Sequence, residues 1–154
     1  LCDSALGFIG ANLYKLGLRL DTLGLDLSHL AMKDIFGAVF APIAFVLGVP
    51  WVDAHEVGKL MGEKLVINEF VAYTDLSAIL KSPTRTLSAQ AETIATFALC
   101  GFANFSSIAI QIGGIGEIAP TRREDLARLG VKALICGTMA SYLSACLAGI
   151  LTQI

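Results

Sequence analysis

The chain has 154 residues, of which 55% are hydrophobic and 16% charged, with a formal net charge of -2. A soluble domain of this length carries about 25% charged residues, and a mean hydropathy of +0.72 points instead to an all-α membrane protein. The small acidic excess gives no basic field, so no nucleic-acid partner is expected.

The chain opens on Leu1 with no charged-then-apolar leader, and is expected to be a piece of a longer protein. Residues 1–28 are rich in Gly and Leu, with Asp3, Lys15, Arg19, Asp21 and Asp26 scattered through them, and no element is assigned there. Residues 29–52 read as a helix lying at the membrane interface. The apolar stretch after Asp34 is short for a span, Pro42 is expected to break or kink a continuous helix, and Trp51 supplies an interfacial anchor.

Residues 53–80 are too interrupted for a simple span. One helical arm, Asp53 to Val66, carries Asp53, His55, Glu56, Lys59, Glu63 and Lys64, and a second runs from about Phe70 to Leu80. The join is Ile67-Asn68-Glu69. Two arms folded about a polar tip make a re-entrant hairpin, dipping into the membrane and leaving on the same face. An amphipathic surface helix with Asn68 and Glu69 simply solvated is the competing reading.

A loop is expected over 81–92, and then a second unusual stretch over 93–119. Thr93 to Gly116 holds no charge, yet it contains Thr93, Thr96, Asn104, Ser106, Ser107 and Gln111, with Gly101 near its middle. Backbone freed at membrane depth survives only when buried in protein or lining a wet cavity. A broken transmembrane helix lining a site meets that condition; a continuous helix whose hydroxyls bond back to their own carbonyls is the alternative. The Gly113-Gly114-x-Gly116 run has no preceding strand and no lysine in P-loop register, so it is assigned to helix termination before Pro120 rather than to a phosphate.

Residues 120–132 hold more Arg and Lys than acids and read as a cytoplasmic loop. The C-terminus then lies outside, and the hairpin enters from outside. Ala133 to Ile154 has no charged residue and is long enough for one continuous transmembrane helix. On it, Gly137, Ser141, Ala145 and Gly149 recur every four positions, a stripe that admits another helix backbone closely.

The chemistry-bearing residues are few. Cys2, Cys100, Cys136 and Cys146 form no C-x-x-C pair, and with only His29 and His55 no zinc spacing exists. No metal ligand and no catalytic residue is assigned, and no nucleophile–base pairing suggests an enzyme. What stands out is a carboxylate, Glu69, and a carboxamide, Asn104, in apolar surroundings. An ionisable side chain at membrane depth is by default a functional-site candidate.

Those two residues sit in segments with a recognisable form. Gly62-x-Lys64-x-x-x-Asn68-Glu69-Phe70-Val71-Ala72 and Gly101-Phe102-Ala103-Asn104-Phe105-Ser106-Ser107-Ile108 resemble the two signature segments of the concentrative nucleoside transporter family. Phe36–Trp51 and Thr121–Lys132 are also similar, so the resemblance covers roughly residues 30–154.

The resemblance implies a multi-pass plasma-membrane protein, in a bacterium the inner membrane, that couples uptake of nucleosides such as uridine to a sodium or proton gradient. It implies a homotrimer, and a solute site between two inverted repeats, of which this chain is the second. Glu69 would accept hydrogen bonds from ribose hydroxyls, Asn104 and Ser107 would complete the ribose contacts, and Phe102 would pack against the nucleoside. Asn68 and Ser106 would support them. Base recognition and the coupling-ion site would lie in the first half, and no cofactor is expected in this chain. A non-transporting membrane fragment or scaffold, with helix packing as its role, is the alternative.

Overall fold

The computed structural model describes residues 2–15, 31–83 and 87–153. Among them every regular element is helical. In chain order these are α1 (Cys2–Lys15), α2 (Met32–Val46), α3 (Trp51–Val66), α4 (Glu69–Lys81), α5 (Ala89–Leu99), α6 (Phe105–Ile118) and α7 (Arg123–Leu151). A 3-10 turn, Pro120–Arg122, leads into α7.

Helix α1 gives residues 2–15 an element that sequence reasoning left unassigned, and Met32 N donates to its Asp3 Oδ1 at 2.9 Å. The remainder of the 1–28 segment lies outside the described residues. Helix α2 runs through Pro42 without ending there and stops four residues later, so of the expected break or kink no break occurs. The chain then reverses by 119° into α3. Gly48 adopts φ 104 at that corner, a left-handed conformation that side-chain-bearing residues rarely take.

Glycines set how closely α2 and α3 approach. A Cβ on Gly58 would lie 2.8 Å from Gly37 O and 2.9 Å from Ala41 N, and one on Gly62 would overlap the Phe36 ring. Polar residues tie the same pair together at its outer edge. Lys33 on α2 bridges Glu63 on α3 and Asp75 on α4, and these hydrogen bonds, the one it donates to Asp75 foremost, raise the Lys33 pKa. Lys59 joins Asp34 and Glu56.

Helices α3 and α4 are the two arms expected from the sequence. They turn about Ile67 and Asn68, and the Asn68 side chain caps α4 by accepting from Val71 N at 2.9 Å. The expected loop at 81–92 is shorter, because α5 begins at Ala89. Ser88 caps it, and the Ser88 hydroxyl donates to the buried Asp53 at 2.6 Å.

The stretch 93–119 is broken, with α5 ending at Leu99 and α6 starting at Phe105. Gly101 at the break has φ 113. The Gly113-Gly114-x-Gly116 run lies in the last turns of α6, which ends at Ile118, before Pro120 as expected. Residues 120–132 are not a loop either. Glu124 and Asp125 occupy the first turn of a helix, where acids are favoured, and Arg128 pairs with Asp125 one turn on. Charge at the end of a membrane helix does not unwind it, so α7 starts ten residues before the uncharged stretch.

At 1.5 Å per residue, α7 is about 43 Å long, more than the roughly 30 Å of a bilayer's hydrocarbon core. Only 22% of its most apolar stretch is buried, unlike the core helix of a soluble protein. Its small-residue stripe packs on α5 and the break within this same chain. A Cβ on Gly149 would lie 2.8 Å from Ile94, Ala145 is fully buried, and a Cβ on Gly137 would meet Ala103 at 3.2 Å.

Candidate solute site at the hairpin tip and the helix break

The break between α5 and α6 exposes two sets of unpaired backbone groups, carbonyls at the end of α5 and amides at the start of α6. Side chains from several elements satisfy the carbonyls. Tyr73 of α4 donates its hydroxyl to Thr96 O at 2.7 Å, Lys64 of α3 donates to Ala98 O at 3.5 Å, and Ser141 of α7 donates to Cys100 O at 2.7 Å. The amide end is capped locally. Asn104 Oδ1 accepts from Ser107 N at 2.8 Å and from the Ser107 hydroxyl at 2.9 Å.

The other end of the Asn104 carboxamide reaches the hairpin. Its Nδ2 donates to Glu69 Oε2 at 2.9 Å, and Ser106 Oγ donates to Ile67 O at 3.0 Å. Two polar segments separated by 35 residues therefore meet through side chains. Glu69 occupies the first turn of α4, where the helix dipole favours a carboxylate. Asn104 is 2% exposed, so its geometry is fixed by the protein rather than by solvent.

Of the residues singled out from sequence, Glu69, Asn104 and Ser107 form one hydrogen-bonded chain. Asn68 and Ser106 hold its two supports, the start of α4 and the hairpin join. Phe102 stands apart from the chain of bonds and is 78% exposed. It shares with Asn104, Ser107 and Gln111 a cleft of about 270 Å³, closed on the far side by Leu126 and Ala133 of α7. Glu69 does not line that cleft; it is half-buried and joined to it through its bond from Asn104.

Sequence reasoning counted Lys64 among the charges of the first arm and within the signature segment, but gave it no role in this region. It is 1% exposed. The signal was available: Val57, Leu60, Met61 and Lys64 fall at i, i+3, i+4 and i+7, so the lysine lies on the apolar face of α3.

Comparison with known proteins shows the family of the chain. The family described as "Na+ dependent nucleoside transporter C-terminus" matches residues 1–149, so the family region includes the N-terminal segment that the motif resemblance left out. The transporter YutK of Bacillus subtilis, itself uncharacterized, is 51% identical over 123 residues, which is 80% of this chain and 30% of that protein. Sodium/nucleoside cotransporter 1 of Mus musculus is 42% identical over 159 residues, covering 96% of this chain and 24% of that protein. The solved structure of CNTnw in an inward-facing substrate-bound state is 40% identical, with a TM-score of 0.83 over 99% of this chain and 35% of that one. The chain thus spans about a third or less of the length of the proteins it matches. It belongs to the concentrative, sodium-dependent nucleoside transporter family, within that family's C-terminal region.

Proposed function

We propose that this chain supplies the ribose-binding half of the solute site in a cation-coupled nucleoside transporter. Glu69 accepts hydrogen bonds from the ribose hydroxyls, Asn104 and Ser107 complete the ribose contacts, and Phe102 packs against the nucleoside. Asn68 and Ser106 keep the hairpin tip and the helix break in register. The observation that carries this reading is the direct bond from Asn104 to Glu69. A carboxylate has about four acceptor positions, so one bond to Asn104 orients Glu69 and leaves the rest for a diol. Charge-assisted bonds of that kind are roughly twice as strong as neutral ones.

In this reading α3 and α4 form a re-entrant hairpin, α5 and α6 a broken span, and α7 a continuous one. A sodium ion or proton bound in the first repeat supplies the driving force, and the complete protein is a homotrimer in the plasma membrane. Exposed Phe70, Phe102 and Phe105 surround the junction of hairpin and break, an apolar rim suited to a facing first repeat and a nucleobase. The scaffold alternative drew on the small-residue stripe of α7, and that stripe is occupied by α5 of the same chain.

The test is uridine uptake into vesicles bearing this chain, with and without a first-repeat fragment from the same family. Uptake only in the combined sample supports the assignment. Uptake in the combined sample that survives Glu69→Gln refutes the role given to Glu69.

A further inference from the structure

Glu63 is a carboxylate in an unfavourable place. It lies in the last turn of α3, where the helix dipole disfavours an anion. Its side chain is 3% exposed, so water does little to stabilise the charge. Among the described residues that side chain has one partner, the Lys33 ammonium at 2.9 Å. A buried carboxylate stripped of its cation is strongly destabilising.

The first turn of α2 holds Lys33 in place for this pairing. Its neighbour Asp34 accepts from Ala31 N at 3.0 Å and pairs with Lys59 of α3 at 3.2 Å. Gly62 admits Phe36 of α2 so closely that a Cβ there would overlap the ring, which brings Glu63 up to the same turn. The Lys33 ammonium also donates to Asp75 of α4. With three donors it can serve both carboxylates at once. Glu63 precedes Glu69 by six residues and Asp75 follows it by six. From a third helix, Lys33 therefore links the two arms of the hairpin on either side of its tip.

We propose that Lys33 is a positioning residue, which holds the two arms of the α3–α4 hairpin at a fixed separation and so sets where Glu69 is presented. The proposal rests on the assignment of Glu69 to the solute site, but the link between the arms can be read without solute. Removing Lys33 has two separable effects. Stranding Glu63 lowers stability, whereas losing the tie to Asp75 frees the α4 arm. The Asp75 side chain is 39% exposed, so the loss of its partner costs little stability.

The experiment uses the complete transporter in detergent. Thermal unfolding and amide hydrogen exchange are measured without nucleoside, and uridine binding separately. Lys33→Met should lower the unfolding midpoint by about 4 °C or more. It should also speed exchange across residues 63–75 by about tenfold, with α7 unchanged. Lys33→Arg, which keeps the charge, should behave as the parent. Lys33→Met/Glu63→Gln removes the stranded charge and should regain at least half of the lost midpoint. Its hairpin should still exchange fast, and its uridine affinity should stay weakened by about fivefold or more. Exchange and affinity that return to parent values with the midpoint would mark a merely structural lysine and overturn the proposal. Unchanged hairpin exchange in Lys33→Met would overturn it as well. If Lys33→Met does not fold, Asp75→Ala decides, because it cuts the α4 leg and leaves Glu63 paired. Fast hairpin exchange in that variant supports the clamp, and parent exchange overturns it. Uridine binding by Glu69→Gln is measured alongside. Undiminished binding there would sink the solute-site reading, and the exchange results would still decide the clamp.

Discussion

Asn104 caps the N-terminus of α6 with one end of its carboxamide and grips Glu69, at the tip of the α3–α4 hairpin, with the other. One side chain thus performs a helix-capping task and a site-building task, and its two atoms separate them. Oδ1 is committed to the helix and Nδ2 to the carboxylate.

That division predicts different outcomes at position 104. Asn104→Asp retains an acceptor for Ser107 N but puts a second carboxylate 3 Å or so from Glu69, where like charges repel. Asn104→Ala loses the cap, which costs about 1 kcal/mol, without adding repulsion. Uridine binding should weaken at least about tenfold in both, with Asn104→Asp the worse of the two although its cap is intact. Equal affinities would show that Nδ2 does not act on Glu69.

Ser141 bonds Cys100 O at 2.7 Å and Gly137 O at 3.2 Å, and a Cβ on Gly101 would lie 3.0 Å from its oxygen. Ser141→Ala should therefore destabilise by about 1 kcal/mol through an orphaned carbonyl. Ser141→Leu should do more, separating α7 from the break and impairing assembly. Thermal unfolding and size-exclusion profiles of the two variants check this, and a Ser141→Leu protein as stable and well assembled as the parent contradicts it.

Two glycines give opposite expectations. A Cβ at Gly58 meets backbone atoms of α2, which cannot rotate away, so Gly58→Ala should destabilise by about 2 kcal/mol or more. At Gly113, inside α6, a Cβ meets nothing within 4 Å among the described residues. Gly113→Ala should stabilise by roughly 0.5–1 kcal/mol through helix propensity. Unfolding midpoints that move in the same direction would be inconsistent with the packing described.

The legible parts of this fold are those where local chemistry and environment conflict. Glu69 and Asn104 stand out because polar groups in apolar runs need partners, and each proved to be the other's partner. Gly101 marks the break because a helix interior does not favour it. The less legible parts involve residues whose role depends on neighbours far along the chain. Pro42 is tolerated in α2, and nothing in the residues around it announces that. The charged stretch from Arg123 to Lys132 continues α7 because helical pairing of Asp125 with Arg128 suits it as well as solvent does. Lys64 was given no role from sequence because its acceptor, Ala98 O, lies 34 residues away. The glycine run at 113–116 sits just inside the end of α6 rather than at it, because the helix runs two residues beyond Gly116 to Ile118.

The most direct measurement is uridine uptake by the complete transporter carrying Glu69→Gln, beside the unmutated protein, at matched membrane levels. Gln keeps the size and one acceptor but removes the charge that a ribose diol would use. Near-complete loss of uptake, with the protein still in the membrane, is the predicted result. Uptake near the unmutated level would contradict the assignment of Glu69 to the solute and with it the account of this hairpin tip.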